Sequence, residues 1–382
     1  MSGHRSDGIW EALDVSARNP ALSSLVSEWR GRPLVIYGAG PAGRCACDIL
    51  LRLGERPECM LDARASRLPA DHAGIPILPP GQPAFPASWK RDAVVLVCVV
   101  QGAEVHEAIA RHLADEGFRT VVPWIQKAFS ADAIRSSGRV EPRMEDFRGA
   151  IMACADLLED ARSRETYLNV MRACALRRFD DLSFLDPQEQ YFPSDVEMAK
   201  GYRAFMDCGA FRGDTLANLV ARVGVPSTYI AFEPDSSNFG DLARAVEDLG
   251  VDQAMLFPCA VSHHTGTLRF TPDRVHGGAG SSLDPRGAEM VQSVAIDDCL
   301  KGVSPSFIKL DIEGSEVDAL AGARRTIERC RPDLAVAVYH YVDHYFEIPN
   351  LLHRWGLGYR FHLRTYDRFG NETILYATCR SS

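Results

Sequence analysis

The chain has 382 residues, 46 % of them hydrophobic, and a formal net charge of −9. This length allows two domains, and the apolar content excludes wholesale disorder. The negative charge argues against broad electrostatic binding to nucleic acid or anionic membranes, so no nucleic-acid partner is expected. No apolar run is long enough to cross a bilayer, and the N-terminus lacks an apolar signal core, which predicts no membrane span.

Cysteine usage indicates the redox environment. The eleven cysteines are dispersed and form no C-x-x-C pair. Such a set is typical of reduced, mostly buried thiols and argues against a structural zinc site. These observations predict a cytoplasmic location.

The first predicted elements are a helical lead-in over residues 1–30 and an α/β unit over 31–125. The apolar run Leu34–Tyr37 predicts a strand, and the sequence GAGPAG follows it directly. A helix and a second strand ending at Asp62 come next, which is the context of a dinucleotide-binding turn. We therefore predict a Rossmann-like domain with a second nucleotide or nucleotide-sugar site formed by Gly38, Gly40, Gly43 and Asp62. The alternative is a domain that keeps the turn but binds no ligand or serves in docking.

Residues 126–200 form a predicted helical connecting segment. Apolar side chains from Ile151 to Leu176 recur at helical spacings among charged ones. The segment closes with Gln190–Pro193, whose aromatic side chains either pack in the core or cover a pocket.

A second α/β unit over residues 201–382 begins with a strand that leads into the sequence DCGAFRGDT. Glycines at 209 and 213 allow backbone amides to approach a ligand, and the helix start after them favours negative charge. Asp207, at the strand end, could receive an amine or a hydroxyl. The next strand, Thr228–Phe232, ends at Glu233, about where a βαβ unit places an acid for the two hydroxyls of a ribose.

The last elements distinguish between classes of α/β protein. Two further strands end at Asp311 and His340, and residues 359–365 and 373–379 predict a terminal antiparallel pair. A final hairpin is the arrangement of class I methyltransferases that use S-adenosylmethionine, whereas dinucleotide dehydrogenases continue with parallel strands. The predicted fold class is α/β, with two Rossmann-like domains joined by a helical segment and a class I methyltransferase fold in the C-terminal one.

From about Glu189 to Cys379 the sequence resembles the FkbM family of methyltransferases. The segments that carry the resemblance are QYF at 190, DCGAFRGDT at 207, FEP at 232, AVS at 260, SSL at 281, AIDD at 295 and, most specifically, FIKLDIEGSEVDALAGA at 307. The resemblance implies an S-adenosylmethionine-dependent enzyme that O-methylates hydroxyl groups, often on sugars or natural products. The N-terminal unit lies outside it and is similar to nucleotide-binding domains found beside sugar-modifying transferases.

The resemblance also implies roles for individual residues. Asp207, Gly209 and Gly213 would hold the methionine part of the cofactor, and Glu233 would hold its ribose. The adenine would lie beside Cys259, Ala260 and Val261, and Asp311 would lie beside the sulfonium. Ala210, Thr215 and Pro234 complete the implied cofactor contacts.

Methyl transfer to a hydroxyl needs a positioned oxygen and a group that removes its proton. The candidates near the carboxyl ends of neighbouring strands are Lys309, Asp311, Glu313 and His340. We favour His340 as the general base because the ordinary pKa of histidine lies near neutrality. The alternative is a strand-end histidine bonded to Asp311, and Lys309 equally fits a structural salt bridge.

A divalent metal is a further, less favoured alternative. Asp311, Glu313, His340 and His344 could converge, and oxygen-rich ligands with imidazole would suit magnesium or manganese. Acids at strand ends are common without a metal, so none is included in the predicted site. Glu316 is interpreted as a first-turn helix charge.

The sequence therefore predicts an O-methyltransferase acting on a hydroxyl of a saccharide, a nucleotide-linked sugar or a related metabolite. Its partner would be a small-molecule or glycan acceptor, and a homo-oligomer is compatible with the sequence. One alternative is a nucleotide-sugar-binding or scaffold protein with a non-catalytic methyltransferase half. The weakest alternative is an NAD-dependent oxidoreductase that uses Gly38 to Asp62, because that half lacks a convincing catalytic set.

Overall fold

The computed structural model of the chain describes residues 29–82, 85–99, 103–124, 144–176, 182–272, 281–283, 287–367 and 369–379. The predicted lead-in helix and residues 126–143 of the connecting segment lie outside these ranges, apart from Trp29 and Arg30. The chain divides into two compact units. Unit 1 comprises Met1–Arg148, Asn169–Leu182 and Asp367–Phe369, and unit 2 comprises Gly149–Leu168, Ser183–Tyr366 and Gly370–Ser382.

Unit 1 is built on a six-stranded sheet. Its strands are β1 Leu34–Tyr37, β2 Cys59–Leu61, β3 Asp71–His72, β4 Ile75–Leu78, β5 Val94–Val97 and β6 Thr120–Pro123, and its helices are α1 Pro41–Arg52, α2 Ala87–Asp92 and α3 Ala103–Asp115. The strand order is β3-β4-β2-β1-β5-β6, and only the β3–β4 pair is antiparallel. β5 is buried along its whole length, as expected of a parallel strand covered on both faces.

Two helices follow β6 in the chain, α4 Arg148–Leu157 and α5 Ala161–Leu176. Where α5 begins, Asp160 and Ser163 contact the terminal hairpin of unit 2. The buried guanidinium of Arg364 donates to Ser163 Oγ at 2.8 Å and to Asp160 Oδ2 at 3.2 Å. A charged side chain that is almost fully buried needs such partners, and they attach this part of the helical segment to the sheet of unit 2.

Unit 2 contains two sheets. Its strands are β7 Ala204–Cys208, β8 Thr228–Phe232, β9 Ala254–Phe257, β10 Ala260–Val261, β11 Gly266–Thr271, β12 Ser282–Leu283, β13 Glu289–Val294, β14 Phe307–Leu310, β15 Asp333–Ala337, β16 Tyr359–Thr365 and β17 Thr373–Cys379. Its remaining helices are α6 Asp214–Arg222, α7 Ser236–Asp248, α8 Ile296–Cys299, α9 Glu316–Gly322, α10 Arg324–Cys330 and α11 His344–Arg354.

The larger sheet has seven strands in the order β16-β17-β15-β14-β7-β8-β9. β15, β14, β7, β8 and β9 are parallel, while β17 runs antiparallel to both β15 and β16. The predicted α/β class and the terminal antiparallel hairpin are thus confirmed. The smaller sheet has the order β10-β13-β11-β12.

Residues 315–330 do not form one continuous helix. The structure has two helices, α9 and α10, which are separated at Ala323. A Cβ on Gly322 would lie 2.1 Å from the Ser262 carbonyl oxygen, so α9 meets the backbone of a neighbouring segment at its end. Asp297 accepts the N–H groups of Arg325 and Thr326 at 2.8 and 2.7 Å, which satisfies donors freed at the start of α10.

No helix in the described part of the chain combines the length and the apolar character needed to cross a membrane. All eleven cysteines, each of which lies in a described range, are free thiols.

Candidate active site

A pocket of about 310 Å³ opens at the carboxyl ends of the central strands of unit 2. Its walls come from the turn after β7, the acid after β8, the start of β10, the turn after β14 and the residue Tyr339 after β15. Open parallel sheets bind ligands at this edge, and the volume is within the usual range for small-molecule sites.

The turn between β7 and α6 forms one wall. Gly209 has a φ of +80°, and a Cβ at this position would lie 1.9 Å from the Asp311 carbonyl oxygen. Glycine is therefore required here because two strand ends meet without room for a side chain. Of the other predicted cofactor residues of this turn, Thr215 lines the pocket, while Ala210 and Gly213 pack behind it.

Asp207 does not reach the pocket that it was predicted to line. Its carboxylate is fully buried, 3.0 Å from Lys309 Nζ and 2.9 Å from the Tyr229 hydroxyl that donates to it. Lys309 also donates to the Gly209 carbonyl oxygen at 2.6 Å. The pair therefore supports the glycine turn from within the core, and the salt-bridge alternative for Lys309 describes the geometry.

Glu233 lies in the pocket with both carboxylate oxygens held. Oε2 accepts the Phe211 N–H at 2.9 Å, and Oε1 accepts the Asp235 N–H at 2.8 Å. Burial raises the pKa of Glu233 to about 7, although these two amides act in the opposite direction. Each oxygen keeps a lone pair for a ligand hydroxyl.

The opposite wall of the pocket is formed by predicted adenine-side residues. Cys259, Ala260 and Val261 are buried and line this wall. Pro234, which follows Glu233, also lines the pocket. Apolar side chains at this position offer a surface suited to an aromatic base.

Asp311 lies at the end of β14 between two phenols. Tyr191 donates to its Oδ2 at 2.5 Å, and the Tyr339 hydroxyl lies 3.2 Å from its Oδ1. Tyr191 comes from a segment 120 residues earlier in the chain. The sequence indicated only that aromatic residues here could cover a pocket, and the contact with Asp311 was missed.

His340 is buried among three carboxylates. Its Nδ1 lies 3.0 Å from Glu316, and its Nε2 lies 3.6 Å from Glu313 and 3.5 Å from Asp311. Burial alone would lower the pKa of His340, but these negative charges outweigh it and raise the pKa to about 10. His340 is therefore cationic at neutral pH, which contradicts the reason for predicting it as the general base.

Glu316 is the centre of this ion-pair group, a role that its interpretation as a first-turn helix charge missed. It is fully buried, and besides His340 it faces His344 Nδ1 at 3.3 Å. Its Oε1 accepts the Ile312 and Gly314 N–H groups at 2.9 and 3.3 Å. Burial disfavours its charge, yet the histidine charges hold the pKa of Glu316 well below its ordinary value. The sequence signal for this role was the segment LDIEGSE, which is part of the motif that carries the family resemblance.

The predicted metal ligands do not form the set that was proposed. Of the described residues, Asp311, Glu316 and His340 bring ligand atoms within 4.8 Å of one another, whereas Glu313 and His344 are not part of that group. A cationic imidazole has no lone pair for a metal, and the oxygens of Asp311 already face two phenols. These residues fit an ion-pair network, and the metal suggestion is not borne out.

Backbone strain is concentrated at this pocket. Six non-glycine residues in the described ranges have a positive φ, and four of them line the pocket: Tyr191, Phe211, Glu313 and Glu372. Such conformations cost roughly 1–3 kcal/mol each and persist where the surrounding structure holds them. Glu372 also accepts Gln190 Nε2 at 2.5 Å, a contact across 182 residues that sequence reasoning missed.

In unit 1, packing and hydrogen bonding within the protein account for the residues of the predicted second nucleotide site. A Cβ on Gly43 would lie 1.8 Å from the Gly38 carbonyl oxygen, so helix α1 needs glycine to approach β1. Gly40 is the N-cap of α1. Asp62 is buried and accepts the N–H groups of Ala39 and Arg64 at 2.9 and 2.8 Å. Ligand binding by this turn stays a prediction.

A seven-stranded sheet with a terminal antiparallel hairpin, and a pocket at the carboxyl ends of its parallel strands, define the C-terminal part of the chain as a class I methyltransferase fold. Residues 207–361 match the family model of the methyltransferase FkbM domain. The resemblance of this segment to the FkbM methyltransferase family, predicted from its sequence motifs, is thus confirmed.

The chain is similar to several solved structures, to one of them over almost its whole length. The methyltransferase FkbM from Methylobacillus flagellatus KT is 23 % identical in sequence, with a TM-score of 0.66 over 97 % of this chain and 98 % of that chain. An rRNA methylase from Streptococcus thermophilus is 14 % identical, with a TM-score of 0.29 over 46 % of this chain and 85 % of that chain. The N-terminal domain of human METTL16 in complex with SAH is 13 % identical, with a TM-score of 0.28 over 57 % of this chain and 84 % of that chain. No curated protein sequence matches the chain.

Proposed function

We propose that unit 2 transfers a methyl group from S-adenosylmethionine to a hydroxyl of a saccharide, a nucleotide-linked sugar or a related metabolite. The observation that supports this most directly is Glu233, an acid at the end of β8 that lies in the pocket with both oxygens oriented by backbone amides. Acids in this position of a βαβ unit bind the two hydroxyls of a ribose.

The lining of the rest of the pocket favours one orientation of the donor. With its ribose at Glu233, the adenine would lie against Cys259–Val261 and the methionine part at the turn that contains Gly209. The sulfonium would then face Asp311, whose negative charge would complement it. Asp207 would act indirectly in this arrangement, since it is buried behind the turn, whereas Lys309 both holds the turn and lines the pocket.

The chemistry requires little covalent participation by the protein. The acceptor oxygen attacks the methyl carbon in line with the carbon–sulfur bond, adenosylhomocysteine leaves, and the hydroxyl proton passes to a base. We call the part of the pocket lined by Asp311, Glu313, Tyr339 and Glu372 its acceptor end. These side chains offer hydrogen-bond donors and acceptors, which suits a substrate that presents a hydroxyl for methylation.

The proposal is tested with the purified full chain. Calorimetry with adenosylhomocysteine should show one site, and transfer of a labelled methyl group should be detected with at least one member of a glycan and nucleotide-sugar panel. Absence of adenosylhomocysteine binding would contradict the proposal. Binding without transfer to any acceptor would favour the alternative of a scaffold protein with a non-catalytic methyltransferase half.

Donor affinity should depend on pH through Glu233. Its pKa is raised to about 7, mainly by burial, with the charge of Asp235 raising it further and that of Lys309 lowering it. The ionised carboxylate is the better acceptor for two hydroxyls, so the Kd for adenosylhomocysteine should rise as pH falls below about 7 and should level off above it. Calorimetry between pH 5.5 and 8.5 measures this, and a Glu233→Gln variant should show weaker binding without this dependence. A flat profile for the unaltered chain would exclude Glu233 as the titrating contact.

The free cysteines also support a reducing compartment, and we propose that the protein acts in the cytoplasm.

A further inference from the structure

Glu313 is held in an uncommon backbone conformation at the acceptor end of the pocket. Its φ is +56°, and the following Gly314 has a φ of +96°. A Cβ on Gly314 would lie 2.3 Å from the ring of Tyr341, so only glycine fits there. The turn that carries Glu313 therefore depends on glycine at the next position and holds Glu313 in a left-handed conformation.

The buried carboxylate of Glu316 holds that turn on both sides. It accepts the N–H of Ile312, the residue before Glu313, and the N–H of Gly314, the residue after it. Glu316 in turn is ion-paired with His340, whose other ring nitrogen faces Glu313. Charged groups from the turn itself and from the segment after β15 thus determine where the Glu313 side chain lies.

Of the four candidates, Lys309 is held in its buried salt bridge with Asp207, and the other three differ in how their polar atoms are used. The imidazole of His340 is cationic and has no lone pair to receive a proton. Both oxygens of Asp311 lie within hydrogen-bonding range of a tyrosine hydroxyl. The carboxylate of Glu313 lines the pocket, is one-third exposed, and has no hydrogen bond from any residue in the described ranges.

The environment of Glu313 brings the pKa of its carboxyl group close to neutral pH. Burial raises its pKa to about 8, the positive charge of His340 lowers it, and the negative charges of Asp311, Glu316 and Glu372 raise it. A general base works best when its pKa is close to the working pH. A nearby sulfonium would add a positive charge and would favour the ionised form.

We propose that Glu313 is the general base for the acceptor hydroxyl and that binding of the sulfonium donor ionises it before the acceptor reacts. This inference depends on the proposed function. In the reaction, the acceptor oxygen forms a bond to the methyl carbon, the carbon–sulfur bond breaks with its electron pair going to sulfur, and the hydroxyl proton passes to a Glu313 oxygen. The products are a methyl ether and adenosylhomocysteine, and the proton leaves through the exposed side of Glu313.

The first test needs no acceptor. Binding of S-adenosylmethionine and of adenosylhomocysteine to the full chain is measured by calorimetry at pH 7.5 in two buffers of different ionisation enthalpy. The cationic donor should release up to about three-quarters of a proton more than the neutral product, because a carboxyl with a pKa near 8 is about three-quarters protonated at this pH and loses its proton beside a cation. A Glu313→Gln variant should bind both ligands without this difference, while Glu247→Gln on the exposed face of α7 should keep it.

The outcomes separate the two proposals. If adenosylhomocysteine does not bind, the proposed function fails. If both ligands bind and release equal numbers of protons, or if Glu313→Gln keeps the difference, ionisation of Glu313 by the donor is wrong.

The second test uses an acceptor that the glycan panel identifies. Glu313→Gln should lower kcat by about 10²- to 10⁴-fold, the usual contribution of a general base, and should remove the rise of kcat/KM with pH. Asp311→Asn serves as the comparison, because it removes a neighbouring carboxylate but leaves Glu313. A pH rise that survives in Glu313→Gln and disappears in Asp311→Asn would assign the base to Asp311 and would overturn the inference.

Discussion

Replacing Glu233 with alanine is expected to weaken adenosylhomocysteine binding by about 100-fold. The side chain lies in the pocket with its oxygens fixed by the amides of Phe211 and Asp235, so it is oriented before a ligand arrives. Hydrogen bonds to a charged group contribute roughly 1.5–3 kcal/mol each, and losing two from a ribose corresponds to at least two powers of ten in Kd. Calorimetry on the full chain measures the change.

Two further variants make this result specific. Glu233→Gln keeps the shape and one acceptor oxygen, so its Kd should lie between those of the unaltered chain and the alanine variant. Glu247→Ala, an exposed change on helix α7, should leave binding unchanged. A Glu233→Ala variant that keeps its circular dichroism spectrum and binds within threefold of the unaltered chain would refute the assignment of the ribose site.

The second large effect concerns stability. Lys309→Met is expected to destabilise unit 2 by about 3–5 kcal/mol, because it leaves the carboxylate of Asp207 buried without its counter-ion. Burial disfavours the charge of Lys309, but the carboxylates of Asp207 and Asp311 outweigh it and raise the pKa of Lys309 above its ordinary value. For a domain of this size the loss corresponds to a fall of roughly 10 °C in Tm.

A double variant distinguishes an uncompensated charge from a simple loss of packing. Adding Asp207→Asn to Lys309→Met removes the buried charge and should restore more than half of the lost Tm, as a double-mutant cycle would report. The matched surface control is Arg324→Met, which breaks the exposed pair with Glu328 and should cost no more than about 0.5 kcal/mol. Equal effects of Lys309→Met and Arg324→Met would show that the buried pair has no special importance.

The sequence predicted the elements that depend on local patterns. β1, β8, β16 and β17 begin and end where apolar runs and turn residues indicated. The placement of Glu233 and Asp311 in one pocket also followed from the pattern, since the carboxyl ends of parallel strands share one edge of a sheet.

The errors arose where a residue's neighbours come from distant parts of the chain. Asp207 was expected to contact the cofactor, but Tyr229 and Lys309 enclose its carboxylate. His340 was expected to titrate near neutrality, but Glu313 and Glu316 keep it cationic. A reference pKa describes a solvated side chain, and only folding determines which charges replace the water around it.

The amino-acid sequence by itself determined the order of strands and helices, the two glycine turns and the acids at the strand ends, because hydrophobic periodicity and backbone preferences act between near neighbours. The tertiary structure decided which of those polar groups face the pocket and which are paired in the core. Tyr191 reaches Asp311 and Gln190 reaches Glu372 only because the chain returns to the same edge of the sheet more than 100 residues later. Such contacts depend on the packing of the whole unit, and no local pattern encodes them.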